Sequence, residues 1–584
     1  MQEEEKVKWR QYKARVVEEL QSNRDLYAKR YAYALVDTDK RIGDYVFNNI
    51  DHPEEHNLYE LLAILRFFKM LDRNDWKPKR VKLFFKFYEM LRFSGINGRR
   101  RYKLTPVQAF QFGNIYGFAR KSDGRRLIRT AYLFVPRKYS KTTSCAALAV
   151  YDMLLGDNNA EAYVGANSYD QAKICFDEIR NIMLDMDPRE KHFRVNREKI
   201  TFKDRGRNSL IQCLTANART KDGLFASLVI MDEYAQARNT AGKNGADLKN
   251  VLTTSMGPRK EPLTIIITTA SDVVDGPFAQ ELVGVKKILR EELEDDTTFA
   301  ALFMPDVDDE EDDPRTWSKV QPHLGVTVQP DYYEWQYREA LKSAENMMAF
   351  RTKLLNIFAI NEQKRWFGRE KAKELCRGFN IDTVQGRPEC AVSFDLSVHD
   401  DFSAVTYLLY ASFNKCFYAY TDYYFPDGAL RGHPNEQLYQ EWHKMGYLKF
   451  CKGDKVDVKM IANDILSKAK ILNIIRIGYD QYKSRDLVNI LSSLGGKNAL
   501  TPYSQTYGSF NLPVESFEML AYENPPKIIM NDNPINVFCL TNCVLDEDHL
   551  ENKKPIKYSQ YMKIDGVITT CLLYTSPSPR DISG

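Results

Sequence analysis

The chain has 584 residues, of which 83 are lysine or arginine and 79 aspartate or glutamate, and 43% are apolar. That length exceeds what one hydrophobic core organises, and the apolar share excludes a disordered chain. A net charge of only +4 does not mark the whole surface for nucleic acid, so any DNA-binding groove has to be local.

No apolar run approaches the roughly 18–20 residues of a membrane span, and the first residues, MQEEEKVKWR, are charged rather than signal-like. A protein of the cell interior is expected, with no membrane role. The ten cysteines include no CxxC pair, which points to reduced core residues and against zinc.

Residues 1–100 carry aromatic and charged residues at helical spacing, as in LYELLAILRFFKMLD (58–72) and VKLFFKFYEMLRF (81–93), and predict a helical lid or docking region. The basic run GRRRYK (98–103) offers phosphate contacts, although a solvated face explains it equally. LTPVQAFQFGNIYGF (104–118) follows. An amide that donates and accepts at once suits an adenine edge, so Gln108 is the candidate adenine reader, against an ordinary helix-surface glutamine.

AYLFVPRKYSKTTSCAALAVYDMLL (131–155) reads as a buried strand, a polar turn and an apolar helix, the layout of a phosphate-binding loop. Arg137, Lys138, Ser140, Lys141, Thr142 and Thr143 lie where backbone N–H groups at a helix N-terminus favour an anion. In a nucleotide hydrolase Lys141 reaches the β- and γ-phosphates and Thr142 holds Mg²⁺. The regular GxxxxGK[ST] pattern is not met, since Val135 and Ser140 stand at its glycines. A strand–helix unit follows at 160–183, its helix opened by a capping box of Ser168 and Gln171. KITFKDRGRNSLIQCL (199–214) predicts a hairpin turning at Arg205 and Arg207.

SLVIMDEYAQ (227–236) ends an apolar strand in two carboxylates, Asp232 for Mg²⁺ and Glu233 to activate water. PLTIIITTA (262–270) ends in Thr268 and Thr269, placed to sense the γ-phosphate. Three strands delivering appropriate groups at one sheet edge point to an ATPase. Arg137 and Arg219 are both candidates for the arginine that stabilises transition-state charge. The acidic run 306–314 reads as a solvated loop, and Trp366 and Phe367 as a connector between domains.

GRPEC (386–390) begins a second domain. CAVSFDLSVHDDFSAVTYLLYA (390–411) predicts a strand, turn and strand with Asp395 inside the first, IIRIGYDQYKSRDLV (474–488) ends a strand at Asp480, and MKIDGVI (562–568) puts Asp565 at the head of a helix. Carboxylates on apolar strands are costly unless they bind a cation. Brought together by the fold, the three make an oxygen-ligand site for two Mg²⁺ or Mn²⁺ ions, as in ribonuclease H-like nucleases. Asp401 is expected as an auxiliary ligand, with His399 and Asp400 facing solvent; the alternative is three unrelated structural aspartates.

In order along the chain, LTPVQAFQFGNIYGF, FVPRKYSKTT, VGANSYDQAKICFDEI, ARTKDG, VIMDEYAQ, IIITTA, FDLSVHDDFSAV, GYDQY and KIDG resemble the large terminase subunit of tailed bacteriophages. The resemblance implies an α/β chain with a helical N-terminal region (1–100), a P-loop ASCE-type ATPase domain with helical linker (101–365) and a ribonuclease H-like nuclease domain (385–570). It implies ATP and Mg²⁺ (or Mn²⁺ at the nuclease site), with Lys141 and Thr142 in the phosphate loop, Asp232 and Glu233 in the acidic motif, Thr268 and Thr269 in the coupling motif and Asp395, Asp480 and Asp565 as nuclease triad.

Double-stranded DNA, a small terminase subunit, the portal protein of the prohead and a homo-oligomeric ring, commonly a pentamer, are the implied partners, in the host cytoplasm. The family's glycine before the phosphate-loop lysine is Ser140 here, where a strained φ is expected. CLLYTSPSPRDISG (571–584) reads as a non-native tail. The alternatives are a DNA translocase or helicase without nuclease activity and a non-catalytic capsid-docking remnant.

Overall fold

The computed structural model describes residues 3–573 except 167–168, 205–206, 216–222, 238–244, 275, 360–364, 398–400, 432, 434, 481–483, 493–499, 549 and 558–561. The expectations for Ser168, Arg205, Arg219, His399, Asp400 and residues 574–584 therefore lie outside the described residues. The chain divides into two compact units, Met1–Asn361 and Glu362–Gly584.

In the first unit, helices α1 (Glu3–Ser22), α2 (Lys40–Asp51), α3 (Leu58–Arg73), α4 (Pro78–Met90) and α5 (Pro106–Gly117) precede a sheet. α3 starts at a capping box in which Asn57 accepts from Glu60 N, and α4 starts on Pro78, whose missing N–H costs nothing at a helix start. The buried stripe of α4, Val81, Phe84, Phe85, Phe87 and Tyr88, joins one continuous core with the sheet strands. The apolar stripes of the helical region thus pack into the first unit's core.

That sheet has eight strands: β1 (Thr130–Phe134), β2 (Glu161–Ala166), β3 (Phe193–Val195), β4 (Lys199–Asp204), β5 (Arg207–Thr215), β6 (Leu228–Asp232), β7 (Leu263–Thr268) and β8 (Thr298–Leu302). Its order is β8-β1-β7-β6-β2-β5-β4-β3. All neighbours from β8 to β5 are parallel, and the β5–β4–β3 edge is antiparallel, including the hairpin read from 199–214. β7 is buried on both faces along its whole length, which explains its unbroken apolar run. Helices α6 (Lys141–Leu155) and α7 (Tyr169–Met186) follow β1 and β2.

A small cluster of Trp317, Tyr333, Phe350 and Leu355 holds together α8 (Pro314–Val320), α9 (Pro330–Ala340) and α10 (Ala344–Lys353). The acidic run ahead of α8 is not simply solvated. Asp306 is buried, accepts from Leu58 N at 2.9 Å and pairs with Lys13 and Lys319, while Asp313 caps α8.

The second unit is built on β9 (Glu389–Asp395), β10 (Ser403–Ala411), β11 (Cys416–Pro426), β12 (Leu448–Cys451), β13 (Asn473–Asp480), β14 (Leu500–Tyr503) and β15 (Ile528–Met530). The order is β12-β11-β10-β9-β13-β14, with β15 also on β11. β9–β10–β11 form an antiparallel meander, and β13 joins β9 in parallel.

Alternation sorts the strand residues into two cores. Ala391, Ala404 and Leu408 face one layer and Val392, Val405 and Tyr407 the other. Helix α11 (Val458–Lys468) covers the second layer and α12 (Asp565–Leu572) the first. Trp366 and Phe367 pack on Phe517 in the first layer, so they belong to this unit's core. α12 runs on through Cys571 and Leu572, both buried. All ten cysteines are free and buried. Among the described residues no helix is long and apolar enough to cross a membrane.

Two candidate active sites

The order β1-β7-β6 sets the first site. Phe134 pairs with Thr268 and Asp232 with Ile267, so the loop after β1, the Asp232–Glu233 pair and the Thr268–Thr269 pair leave the sheet at one carboxyl edge. The Lys141 ammonium contacts Glu233 Oε1 and donates to Thr269 Oγ1 at 2.5 Å. Thr269 Oγ1 in turn donates to Val135 O at 2.9 Å, and Thr269 N reaches Glu233 Oε2 at 3.4 Å. Thr268 Oγ1 accepts from Ala235 N at 2.9 Å, tying the turn after β6 to the end of β7.

Strain is concentrated here. Lys138, Ser140 and Glu233 have φ of +69°, +72° and +51°. Each left-handed L-residue costs about 1–2 kcal/mol, and residues held this way cluster at ligand clamps. The expected departure at Ser140 is met by keeping the glycine conformation without the glycine. The hydroxyl of Thr143 donates to Ser140 O at 2.9 Å and braces the turn.

The loop backbone is held by the segment after β8: Arg137 N donates to Lys353 O, and Gln321 Nε2 to Arg137 O, both at 2.8 Å. Arg137 and Lys138 are exposed, and Thr142 is half-buried beside Lys141.

Asp232 is buried, and its Oδ1 has no hydrogen-bond partner. Burial, then the neighbouring Glu233, pushes its carboxyl up to about 6. A buried carboxylate oxygen without a partner, on the same sheet edge as the loop that carries the Thr142 hydroxyl, offers oxygen donors of the kind that fit Mg²⁺.

Gln108 has a structural job: its Oε1 accepts from Thr105 N at 3.1 Å in the capping box of α5, and the residue is buried. Adenine reading requires that acceptor to be shared or released. Two residues not foreseen complete the surroundings. Lys353 donates to Ala270 O at 3.4 Å, and burial lowers its ammonium while Glu233 partly restores it. His323 stacks on Tyr139 of the loop, with ring centroids 4.5 Å apart and 4° between planes, and its Nε2 is 2.8 Å from Thr105 Oγ1. Neither lies near the loop in sequence, and no local pattern marks them.

His323 gives a pH expectation. Burial lowers its imidazole from 6.5 to about 4, so between those values the unfolded chain takes up a proton that the folded chain refuses. Stability is full above pH 6.5 and falls as pH drops toward 4, by about 2 kcal/mol at pH 5. Urea unfolding at pH 7 and pH 5 should show this loss in the wild type, and His323→Gln should show a smaller one.

In the second unit, Phe394 pairs with Tyr479 across the parallel β9–β13 ladder, so Asp395 and Asp480 end adjacent strands side by side. Gln505 Nε2 donates to Asp480 Oδ2 at 3.0 Å. Asp565 is the first residue of α12, where a carboxylate is favoured by the helix dipole. Gly566 follows because a Cβ there would lie 1.8 Å from the Tyr423 hydroxyl. Burial first, then Asp401 and Asp395, pushes the Asp565 carboxyl well above the carboxylate range. The topology therefore brings Asp395, Asp401 and Asp565 together, with Asp480 next to Asp395.

Asp401 differs from the expected ligand. Lys557 Nζ donates to its Oδ2 at 2.6 Å and the fully buried Lys563 to its Oδ1 at 2.7 Å. Burial alone would raise this carboxyl, but the two lysines hold it below the ordinary value. Lys563 stands two residues before Asp565 in MKIDGVI, the one signal that could have found it. Among the described residues no group of three or more His, Cys, Asp or Glu forms a ready cation cage. The donor set is nevertheless all oxygen and Asp565 Oδ2 is buried without a partner, which fits a divalent cation drawing the strand-end carboxylates to it.

A model of the terminase large subunit ATPase domain matches residues 106–287, and one of the terminase large subunit endonuclease domain matches 292–576. The chain belongs to the terminase large subunit family. It carries that family's ATPase and endonuclease domains, the pairing of DNA packaging with cutting. A translocase lacking a nuclease domain is thereby set aside.

The endonuclease match takes in β8, which nonetheless pairs with β1 in the first unit's sheet. The terminase large subunit of Enterobacteria phage HK97 is 22% identical over 447 residues, covering 75% of this chain and 84% of that protein. Protein YmfN of Escherichia coli (strain K12) is 25% identical over 371 residues, covering 61% and 78%. The fold is similar to the crystal structure of the HK97 bacteriophage large terminase, with a TM-score of 0.51 at 20% identity over 86% of this chain and all of that one.

Proposed function

We propose that this terminase couples ATP hydrolysis at Lys141, Asp232 and Glu233 to movement of double-stranded DNA into a prohead, and cuts concatemeric DNA at Asp395, Asp480 and Asp565. The observation that supports the motor half is the Lys141 ammonium held between Glu233 and Thr269, three side chains that this reading assigns to phosphate binding, water activation and coupling. When ATP binds, Lys141 turns to the β- and γ-phosphates, which frees the Glu233 carboxylate to accept a proton from the attacking water. Thr269, bonded to both Lys141 and the loop carbonyl of Val135, passes that exchange to β7.

Mg²⁺ would be held by Thr142 and Asp232 and would neutralise phosphate charge. Ser140 and Thr143 shape the loop, Lys138 adds charge to the phosphate site, Arg137 or Arg219 meets transition-state charge, and Gln108 reads adenine.

In the nuclease, Asp395, Asp480 and Asp565 would hold Mg²⁺ or Mn²⁺, as two ions that activate water and steady the leaving oxygen. Asp401, fixed by Lys557 and Lys563, sets the charge around Asp565. The proposed partners are a small terminase subunit, the portal protein and further copies of this chain in a ring, commonly a pentamer, acting in the host cytoplasm.

ATP turnover of the chain with and without linear duplex DNA tests the motor. Turnover that rises with DNA supports it; a chain that binds its partners but turns over no ATP is the non-catalytic docking protein instead.

A further inference from the structure

Outside both sites, α4 presents a basic face. α4 buries Val81, Phe84 and Tyr88 but turns Lys79, Lys82 and Lys86 to solvent. These lysines are spaced three and four residues apart on one face. They span about 10 Å of helix, close to the width of a DNA groove. Among the described residues none of the three forms a salt bridge, and Glu89, the single acidic residue of α4, is paired with Arg41.

The chain then makes a tight hairpin. Phe93 and Arg100 exchange backbone hydrogen bonds of 2.9 and 3.0 Å, and Gly98 N closes the turn on Gly95 O at 3.1 Å. Gly98 has φ +86°, a conformation the turn needs and glycine supplies. The hairpin is braced on α7: Ser94 N donates to Glu178 at 2.8 Å and Arg99 Nε to Asp185 at 2.6 Å. Tyr102 packs its hydroxyl so near Gly95 that a Cβ there would lie 2.3 Å away.

What this rigid turn presents is Ile96, fully exposed at 102%, flanked by exposed Arg100, Arg101 and Lys103. A lone exposed isoleucine is ordinary on a surface. At the tip of a braced hairpin, beside Arg100, Arg101 and Lys103, which form no salt bridge among the described residues, it has the make-up of an apolar wedge that unstacks a base step while arginines hold phosphates.

We propose that the lysine face of α4 and the 93–100 hairpin form a duplex-DNA track on the ATPase unit, with Ile96 inserted between base pairs. The inference rests on the reading that this chain acts on duplex DNA. The track is also wired to the nucleotide loop, since Tyr88, on the buried side of α4, donates to Thr143 Oγ1 at 3.4 Å. This contact joins the helix that would carry DNA to α6, which opens with Lys141.

The test uses the full chain and a short linear duplex carrying 2-aminopurine, read by anisotropy across a salt series and by fluorescence. Arg100→Ala/Arg101→Ala/Lys103→Ala is expected to weaken binding by about tenfold or more and to flatten the salt dependence by about 2–3 in logarithmic slope. Ile96→Ser is expected to keep that slope and lose the unstacking signal of the wild type. Both variants should keep ATP turnover without DNA within about twofold of the wild type, because the altered side chains are exposed; collapse of that turnover would make the hairpin structural and overturn the proposal. An unchanged slope in the triple variant, or an unstacking signal that survives Ile96→Ser or is absent from the wild type, would also overturn it. A wild type that binds no duplex at all would end the wider reading as well, which separates the two failures.

Discussion

Glu233→Gln is expected to lower ATP turnover by about 10²–10⁴-fold while nucleotide binds at least as tightly as to the wild type. The two effects part because Glu233 holds Lys141 by charge, whereas in the proposed reaction it accepts a proton. Glutamine keeps the size and the acceptor that faces Thr269 N, loses the negative charge, and cannot serve as base.

Lys141 is then released toward the phosphates at no electrostatic cost, so affinity holds or rises. Lys141→Ala should differ, losing affinity and turnover together. Steady-state turnover beside titration with a fluorescent nucleotide checks both. Weakened binding in Glu233→Gln with turnover intact would mean that the carboxylate positions the loop and another group is the base.

The contrast between loop and strand explains what could be read from the sequence. Strands such as IIITT declare themselves because a buried parallel strand has to be apolar on both faces, and a polar group at its end stands out against that run. Thr268, Asp232, Asp395 and Asp480 were legible for this reason. Asp565 was legible as a carboxylate opening a helix, though not its closeness to Gly566 and Tyr423.

The N-terminal helices read as a lid or docking region without a named partner surface, because periodicity shows that a face is buried but not against what. The acidic run at 306–314 looked solvated for a similar reason. Asp306 is buried by Leu58 N and Lys13, partners that lie far away in the chain, and charge pattern alone is blind to them. Asp401 carries the same lesson inside a site, since its two lysines arrive from the far end of the second unit.

Asp480→Ala is expected to reduce plasmid cleavage in Mg²⁺ or Mn²⁺ by on the order of 10³-fold or more and to leave ATP turnover within about twofold. The carboxylate sits at the end of β13 beside Asp395, so its loss removes an oxygen donor from the strand-end pair. Its neighbours belong to the second unit's own cores, whereas Lys141 lies in the first unit.

Asp401→Asn tells ligand from positioner. With both oxygens taken by Lys557 and Lys563, its charge acts on Asp565 at second hand, and neutralising it should cost about tenfold rather than a thousandfold, with the pH dependence of cutting shifted because Asp565 then loses a repelling neighbour and ionises more readily. An Asp401→Asn enzyme as dead as Asp480→Ala would instead make Asp401 a direct ligand whose lysines step aside when the cation arrives. Loss of ATP turnover in Asp480→Ala would show that the two activities are not separable in this chain.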